Sequence, residues 1–352
     1  MSREAVAREL LLGDSQPMQE LRRLVVKFAP TSLPVLIAGP TGSGKGVVAR
    51  ALHVASGRSG RYVVTNMAAF GEGLLESELF GHVRGAFTSS TGTRRGLLQM
   101  AHGGTAFLDE VHRLSASAQP KLLRVLETGL LRPVGSDDEV RSDFRVVSAA
   151  NENLEMLVDA GRFQGDLLAR LSRLVIHVPP LVDHLDDVPL LAHRFVQGLV
   201  GVRSVCITNS AMDALMEHDW PRNVRELQAV VERAAILAEG SWIDRTEVRE
   251  AIAAGVRRPD MDRSDPRRAS LAIPERPDRI ARRERKLLEA LEKSQGRVRL
   301  AAVQLGVSKK TVYRWLRELN IDPPERRRPR SMPPSSSIQR RPPVVEECKV
   351  AP

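Results

Sequence analysis

The chain has 352 residues, 42% of them apolar, enough for two or three domains around a sizeable core. Its two cysteines, Cys206 and Cys348, lie far apart with no His or Cys at metal spacing, which argues against a disulfide framework and a zinc site; no apolar stretch is long enough to span a bilayer. The net charge of +10 is unevenly placed: from Arg257 onward 25 basic residues stand against 13 acidic ones, and before it 28 stand against 30, the pattern of a nearly neutral body joined to a nucleic-acid-binding module.

Residues 1–9 form a charged leading segment without the apolar run or cleavage site of a signal peptide, so a cytoplasmic location is expected. Over 10–180, short β-rich runs (PVLIAG, RYVVTN, TAFLDE, FRVVSAAN) alternate with stretches of helical period, which predicts a parallel sheet with covering helices, an α/β fold. From 181 to 256 the period is helical only, with a stop at DWPRN where Pro221 cannot continue a helix, and a small all-α lid is expected. Residues 257–279, rich in Pro, Arg and Asp, read as a linker; 280–320 regain helical period; 321–352 are too proline-rich and polar to bury a core and read as a disordered basic tail.

LPVLIAGPTGSGKGVVARALH reads as strand, glycine-rich loop and helix. Gly39, Pro40, Thr41, Gly42, Ser43 and Gly44 let backbone N–H groups converge on phosphate oxygens, the helix N-terminus adds a favourable field, and Lys45 reaches the outer phosphates. Gly46 stands where a Ser or Thr hydroxyl would hold Mg2+. About sixty residues on, GGTAFLDEV ends an apolar strand in two carboxylates at a sheet edge: Asp109, placed to hold Mg2+ through water, and Glu110, placed to orient and deprotonate an attacking water.

LLGDSQPMQELRRLV, GPTGSGKGVVARALH, ESELFGHVRGAFT, GGTAFLDEV, QPKLLRVLE, DLLARL, VPPL and WPRNVREL resemble, in order and spacing, the AAA+ domain of sigma-54-dependent bacterial transcription activators. The resemblance covers residues 10 to about 245 and continues into the C-terminal segment. It implies an AAA+ P-loop sheet with a helical lid, a homo-oligomeric and usually hexameric ring, Mg-ATP hydrolysed between subunits, and sigma-54 RNA polymerase as partner. It assigns Asn66 as the switch residue bonded to Glu110, Asn151 as a nucleotide sensor and Arg225 as the lid arginine. In GRFQGDLLARL the first arginine of the family pattern is replaced by Gln164 and the second is kept as Arg170, the expected arginine finger, with Arg162 nearby as a substitute. Gly85, Ala86, Phe87 and Thr88 match the start of the family's sigma-contact loop, while Ser89 and Ser90 replace its last two residues; Phe87 is expected to be exposed for a partner to bury. A second projecting hairpin is expected within LLRPVGSDDEVRSDFRVV, its polar turn beside that loop.

GRVRLAAVQLGVSKKTVYRWLRELNI reads as helix, turn, helix: Ala301, Ala302 and Leu305 form one apolar face, Gly306 the turn, and Val312, Trp315, Leu316 and Leu319 the other face of a small core. Ser308 caps a recognition helix that presents Lys309, Lys310, Thr311, Tyr313, Arg314 and Arg317 to DNA. It resembles the Fis-type DNA-binding domain ending activators of this family, which implies dimeric contact with a palindromic upstream enhancer. Fewer than a dozen residues precede the AAA+ segment, so control is expected from outside a leading sensory domain. The rival reading is a DNA-binding regulator with weak or no ATPase activity that does not engage sigma-54, suggested by Gln164, Ser89 and Ser90.

Overall fold

The computed structural model describes residues 2–86, 92–199 and 205–256, together with Leu288, Leu291, Ser294, Val298, Leu300 and Leu316. The chain divides into two units, Met1–Asp262 and Arg263–Pro352.

In the first unit the apolar runs of the sequence become strands β1 (Val35–Ala38), β2 (Tyr62–Asn66), β3 (Thr105–Asp109), β4 (Arg145–Ala150) and β5 (Leu174–His177). They form one parallel sheet in the order β2-β3-β4-β1-β5. The last strand, in RLVIHVP, was not among the predicted runs. A strand covered on both faces reads as continuously apolar, and the core splits accordingly. Val35, Ile37, Phe107, Val147, Ala149 and Ile176 face the Gln16–Phe28 and Lys45–Ser56 helices. Leu36, Val63, Leu108 and Val146 face the Glu72–Phe80, Ala118–Thr128 and Gly165–Leu171 helices. Each such side chain, fully buried, contributes roughly 1.5–3 kcal/mol. Arg145, 1% exposed at the start of β4, donates to the Phe28, Ala29 and Leu33 carbonyls and so clamps the end of the Gln16–Phe28 helix to the sheet; burial pushes its pKa down to about 10.

The leading segment joins this body. Ser2 caps a helix over Arg3–Leu10 whose Val6 and Ala7 are buried, and it packs on the Lys45–Ser56 helix.

The lid has its own core, in which Leu181, Val188, Leu191, Leu215, Trp220, Leu227, Val230 and Val231 meet between the Val188–Gln197, Asn209–Glu217, Asn223–Leu237 and Arg245–Val256 helices. One detail departs from the all-α expectation: Cys206–Ile207 pairs in parallel with Trp242–Ile243.

The second hairpin forms as read, Leu130–Leu131 pairing antiparallel with Val140–Arg141. Its Val134 bonds to Gly81 and Val83, and Gly135, at φ +79°, lies so close to Ala86 that a Cβ there would fall 2.8 Å from the alanine Cβ. The polar turn therefore sits beside the base of the Gly85 loop. Gly85 is exposed at φ +82° and Ala86 is half-buried; Phe87, Thr88, Ser89 and Ser90 lie outside the described residues.

In the second unit Leu316, expected in the core of the C-terminal helices, is buried, as are Leu291 and Val298. The DNA-facing set Ser308, Lys309, Lys310, Thr311, Tyr313, Arg314 and Arg317 lies outside the described residues, as do the linker at 257–279 and the tail at 321–352. Among the described residues no helix is long and apolar enough to cross a membrane.

Candidate nucleotide-binding site

Four strand ends meet at one edge of the sheet. β1 runs into the glycine loop, β2 ends in Asn66, β3 in Asp109 and β4 in Ala150, with Asn66 opposite Asp109 and Ala38 opposite Ala150 in register. This is where ligands of open α/β sheets bind. The cleft there, about 360 Å3, is lined by Thr41, Gly42, Gly44, Lys45, Gly46, Val47, Asp109, Glu110, Asn151, Val224, Arg225 and Gln228. It thus unites the loop, the acidic pair, Asn151 and Arg225, which lie far apart in the sequence.

The loop needs its glycines. Gly42 and Gly44 sit at φ +79° and +98°, and a Cβ on Gly42 would fall 2.2 Å from the Arg222 carbonyl oxygen. Gly44 leads into the Lys45–Ser56 helix, whose first residues, Lys45, Gly46 and Val47, line the cleft. Lys45 is 9% exposed, and its Nζ donates to the carbonyls of Gly39 (2.9 Å) and Pro40 (3.0 Å). Burial pushes its pKa down, against the pull of Asp109 and Glu110. Ser43 Oγ is buried with no hydrogen-bond partner.

The acidic pair is held in a strained turn. Glu110 has φ +55°, a left-handed conformation that a glutamate adopts only when its surroundings over-determine it, and its N–H is bonded to Asp109 Oδ1 at 3.0 Å. Both carboxylates are half-buried. Asn151 Nδ2 donates to Thr41 Oγ1 at 2.9 Å, tying the end of β4 to the loop.

The contact that the family resemblance implies between Asn66 and Glu110 is not formed. Asn66 Oδ1 accepts the Ala68 N–H (2.8 Å) and caps the turn after β2; among the described residues no hydrogen bond joins its Nδ2, the atom able to donate to a carboxylate, to Glu110. Arg170, expected to act on a neighbouring protomer, donates from Nε and one terminal nitrogen to the Leu126 carbonyl at 3.3 and 3.0 Å within its own protomer. Arg162 is exposed on the turn before Gln164.

The site also contains residues that sequence reading missed. Asn223, 4% exposed at φ +56°, donates from Nδ2 to the Thr41 carbonyl and accepts the Leu181 N–H at Oδ1, both at 2.9 Å, and the Arg225 N–H reaches the Gly42 carbonyl at 3.2 Å. The lid is therefore fastened to the loop by the Asn223 carboxamide and the Arg225 N–H. The WPRN stretch enters the sequence reading as a helix stop and as part of a family motif; an Asn two residues after a Pro is the further signal for this turn, because Asn tolerates left-handed backbone. His112 is buried beside the acidic pair, with its Nε2 3.6 Å from Glu152 Oε1 and neither ring nitrogen hydrogen-bonded; burial lowers its pKa and keeps the ring neutral.

A parallel sheet with a phosphate loop after β1, two carboxylates at the tip of β3 and a lid contributing an arginine defines a P-loop nucleotide-binding fold of the AAA+ type. The comparison with known proteins narrows this. A sigma-54 interaction domain is matched over residues 11–177 and an AAA+ ATPase lid domain over 183–264. The chain belongs to the sigma-54 interaction domain family. It is 47% identical over 233 residues to the anaerobic nitric oxide reductase transcription regulator NorR of Vibrio vulnificus, covering 65% of this chain and 46% of NorR. It is 40% identical over 306 residues to the transcriptional regulatory protein ZraR of Salmonella typhimurium, covering 86% and 67%. The crystal structure of NtrX from Brucella abortus in complex with ATP superposes with a TM-score of 0.62 at 30% identity, over 88% of this chain and 69% of NtrX. The chain thus spans about half the length of NorR and about two thirds of ZraR.

Proposed function

We propose that this chain is a sigma-54-dependent transcription activator that hydrolyses ATP in an oligomeric ring, six-membered in the reading the family implies, and spends the cycle on remodelling sigma-54 RNA polymerase. One observation carries the reading: a single cleft gathers Lys45, Asp109, Glu110, Asn151 and Arg225 around a loop shaped to cradle phosphates. The ATP complex of the related NtrX supports nucleotide as the ligand.

In this reading the loop from Gly39 to Gly46 and Lys45 hold the phosphates, Asn151 and Arg225 sense the outer one, and Glu110 takes the proton of the attacking water. Half-buried carboxylates beside a lysine suit Mg2+, which Asp109 would hold through water, since Gly46 offers no hydroxyl. When bound, the ion would neutralise charge developing on the phosphates. Asn66 would donate from Nδ2 to the Glu110 carboxylate as the site cycles. The loop from Gly85 to Thr88 would meet sigma-54 through Phe87, and residues 280–320 would bind a palindromic enhancer, with 257–279 as linker and 321–352 as tail.

The rival, a DNA-binding regulator with weak ATPase activity, draws support from Arg170, whose guanidinium is engaged at home. Purified protein assayed for ATP turnover and for conversion of a closed sigma-54 promoter complex decides between them: turnover with conversion is expected, and absence of both would establish the rival. Arg170→Ala and Arg162→Ala, assayed in parallel, identify the finger as the one whose loss stops turnover while nucleotide still binds.

A further inference from the structure

Gln119 occupies the first turn of the Ala118–Thr128 helix, yet it is only 2% exposed. A buried carboxamide is tolerated when its polar atoms find partners. Its Nε2 donates to the carbonyls of Leu114 and Arg162, both at 3.1 Å, and its Oε1 accepts the Gln164 N–H at 2.8 Å.

These three backbone groups come from two segments with different duties. Leu114 ends the turn that starts at Glu110: the Arg113 N–H bonds to the Glu110 carbonyl at 2.8 Å, and the Leu114 N–H to the Val111 carbonyl at 3.1 Å. Arg162 and Gln164 flank Phe163, whose ring is buried in the core while its two neighbours are exposed. The turn reverses at Gly161, φ +67°, and the N–H groups of Arg162 and Phe163 both return to the Leu157 carbonyl. Phe163 anchors the turn from inside, and Gln119 grips its backbone on both sides of that anchor.

We infer that Gln119 is a positioning residue: its carboxamide sets the exposed Arg162–Gln164 turn in register with the segment carrying Glu110. The inference rests on the ring reading above, in which this region of one protomer completes the site of the next. Each protomer's own hydrolytic segment then fixes the geometry of what it offers its neighbour. Replacing the carboxamide leaves the Leu114 and Arg162 carbonyls and the Gln164 N–H without their partner. The turn is then free to shift, and a displacement of an ångström at a reacting group is enough to slow chemistry about a hundredfold.

The test uses the full chain in three forms: wild type, Gln119→Leu, which keeps the volume without polar atoms, and Gln119→Glu, which keeps the shape but sets a carboxylate against two carbonyl oxygens. Affinity is read with a fluorescent ATP analogue, and turnover by phosphate release. Both variants are expected to bind the analogue within about threefold of wild type and to turn over at least about tenfold more slowly, a kcat effect rather than a KM effect. Mixed with Glu110→Gln protomers, which are inactive at their own site but carry an intact turn, they are expected to regain turnover, because each Gln119 variant then has an intact turn beside its competent Glu110. Unchanged turnover of the variants alone, no recovery on mixing, or loss of analogue binding in both variants would each overturn the role. Failure of the wild type to hydrolyse ATP would instead defeat the ATPase reading itself.

Discussion

The phosphate loop and the lid turn meet at the same cleft, but they reach their conformations by opposite means. The loop uses glycine for its positive-φ positions, Gly42 at +79° and Gly44 at +98°, so its shape carries little intrinsic strain and can adjust to a ligand. The turn WPRN uses Trp220 at +50°, a side chain that disfavours such backbone by roughly 1–2 kcal/mol, and Asn223 at +56°, which tolerates it better. It holds because both are locked: Trp220 is 1% exposed with its Nε1 bonded to the Leu215 carbonyl, and Asn223 is bonded on both sides of the cleft. Glu110 at +55° is the remaining positive-φ residue other than glycine among those described. Strain is thus concentrated at Glu110 and at Trp220 beside the lid clasp, while the loop that would cradle phosphates is relaxed.

The largest expected effect separates binding from chemistry. Glu110→Ala should leave nucleotide affinity within about threefold while lowering turnover at least about a hundredfold, read by equilibrium titration and phosphate release. Equal turnover would remove Glu110 from its role.

Next come the two glycines, which test whether the loop and the clasp are truly joined. Gly42→Ala combines strained backbone with a Cβ placed against the Arg222 carbonyl, whereas a Cβ on Gly44 meets nothing within 4 Å. Gly42→Ala should therefore lower the melting temperature more than Gly44→Ala, which bears only backbone strain, about 1–2 kcal/mol. Equal shifts would show that the lid does not press on the loop.

Asn223→Ala removes the clasp itself. It leaves the Thr41 carbonyl and Leu181 N–H unpartnered at a buried junction, so denaturant unfolding should show a loss of about 2–4 kcal/mol. Arg225→Ala on the exposed side of the same helix should change stability by less than about 0.5 kcal/mol while weakening nucleotide binding.

The smallest effect concerns the other joint of the lid. Burial tends to raise the pKa of Asp187, but the hydroxyl and N–H of Ser15, the Asp14 N–H and His184 outweigh it and hold the carboxyl below its ordinary value. A carboxylate with a depressed folded pKa stabilises fully above its unfolded value, near 3.9, and loses that contribution as pH falls through the lower folded value. The melting-temperature gap between wild type and Asp187→Asn should therefore be constant above about pH 5 and shrink below about pH 4. A gap that widens on acidification would mean the carboxylate is not what holds the joint.

Much of the site was legible because its chemistry is local. GPTGSGKG announces its own backbone conformation, and LDEV places two carboxylates at the end of an apolar run, so both could be read from neighbouring residues and both lie in the cleft. Asn151 and Arg225 were reached through family resemblance, and they too line it. Asn66 was assigned in the same way, yet its bond is to Ala68, because a side chain's partner depends on which backbone groups the fold brings within 3 Å. Neither Asn223 nor Gln119 shows its bonding partner in the sequence: one sits in what reads as a loop, the other on a helix turn where a polar residue ordinarily faces solvent.

By itself the sequence determined the alternation of strand and helix, the glycine loop, the acidic strand end and the basic C-terminal portion. Each of these follows from propensities and periodicities acting over a few residues. Only the tertiary structure decided the strand order, the clasp from Asn223 to Thr41, 182 residues away, and the bond from Gln119 to Arg162, 43 residues away. A hydrogen bond of that span exists only after the core has packed and excluded the water that would otherwise serve both partners.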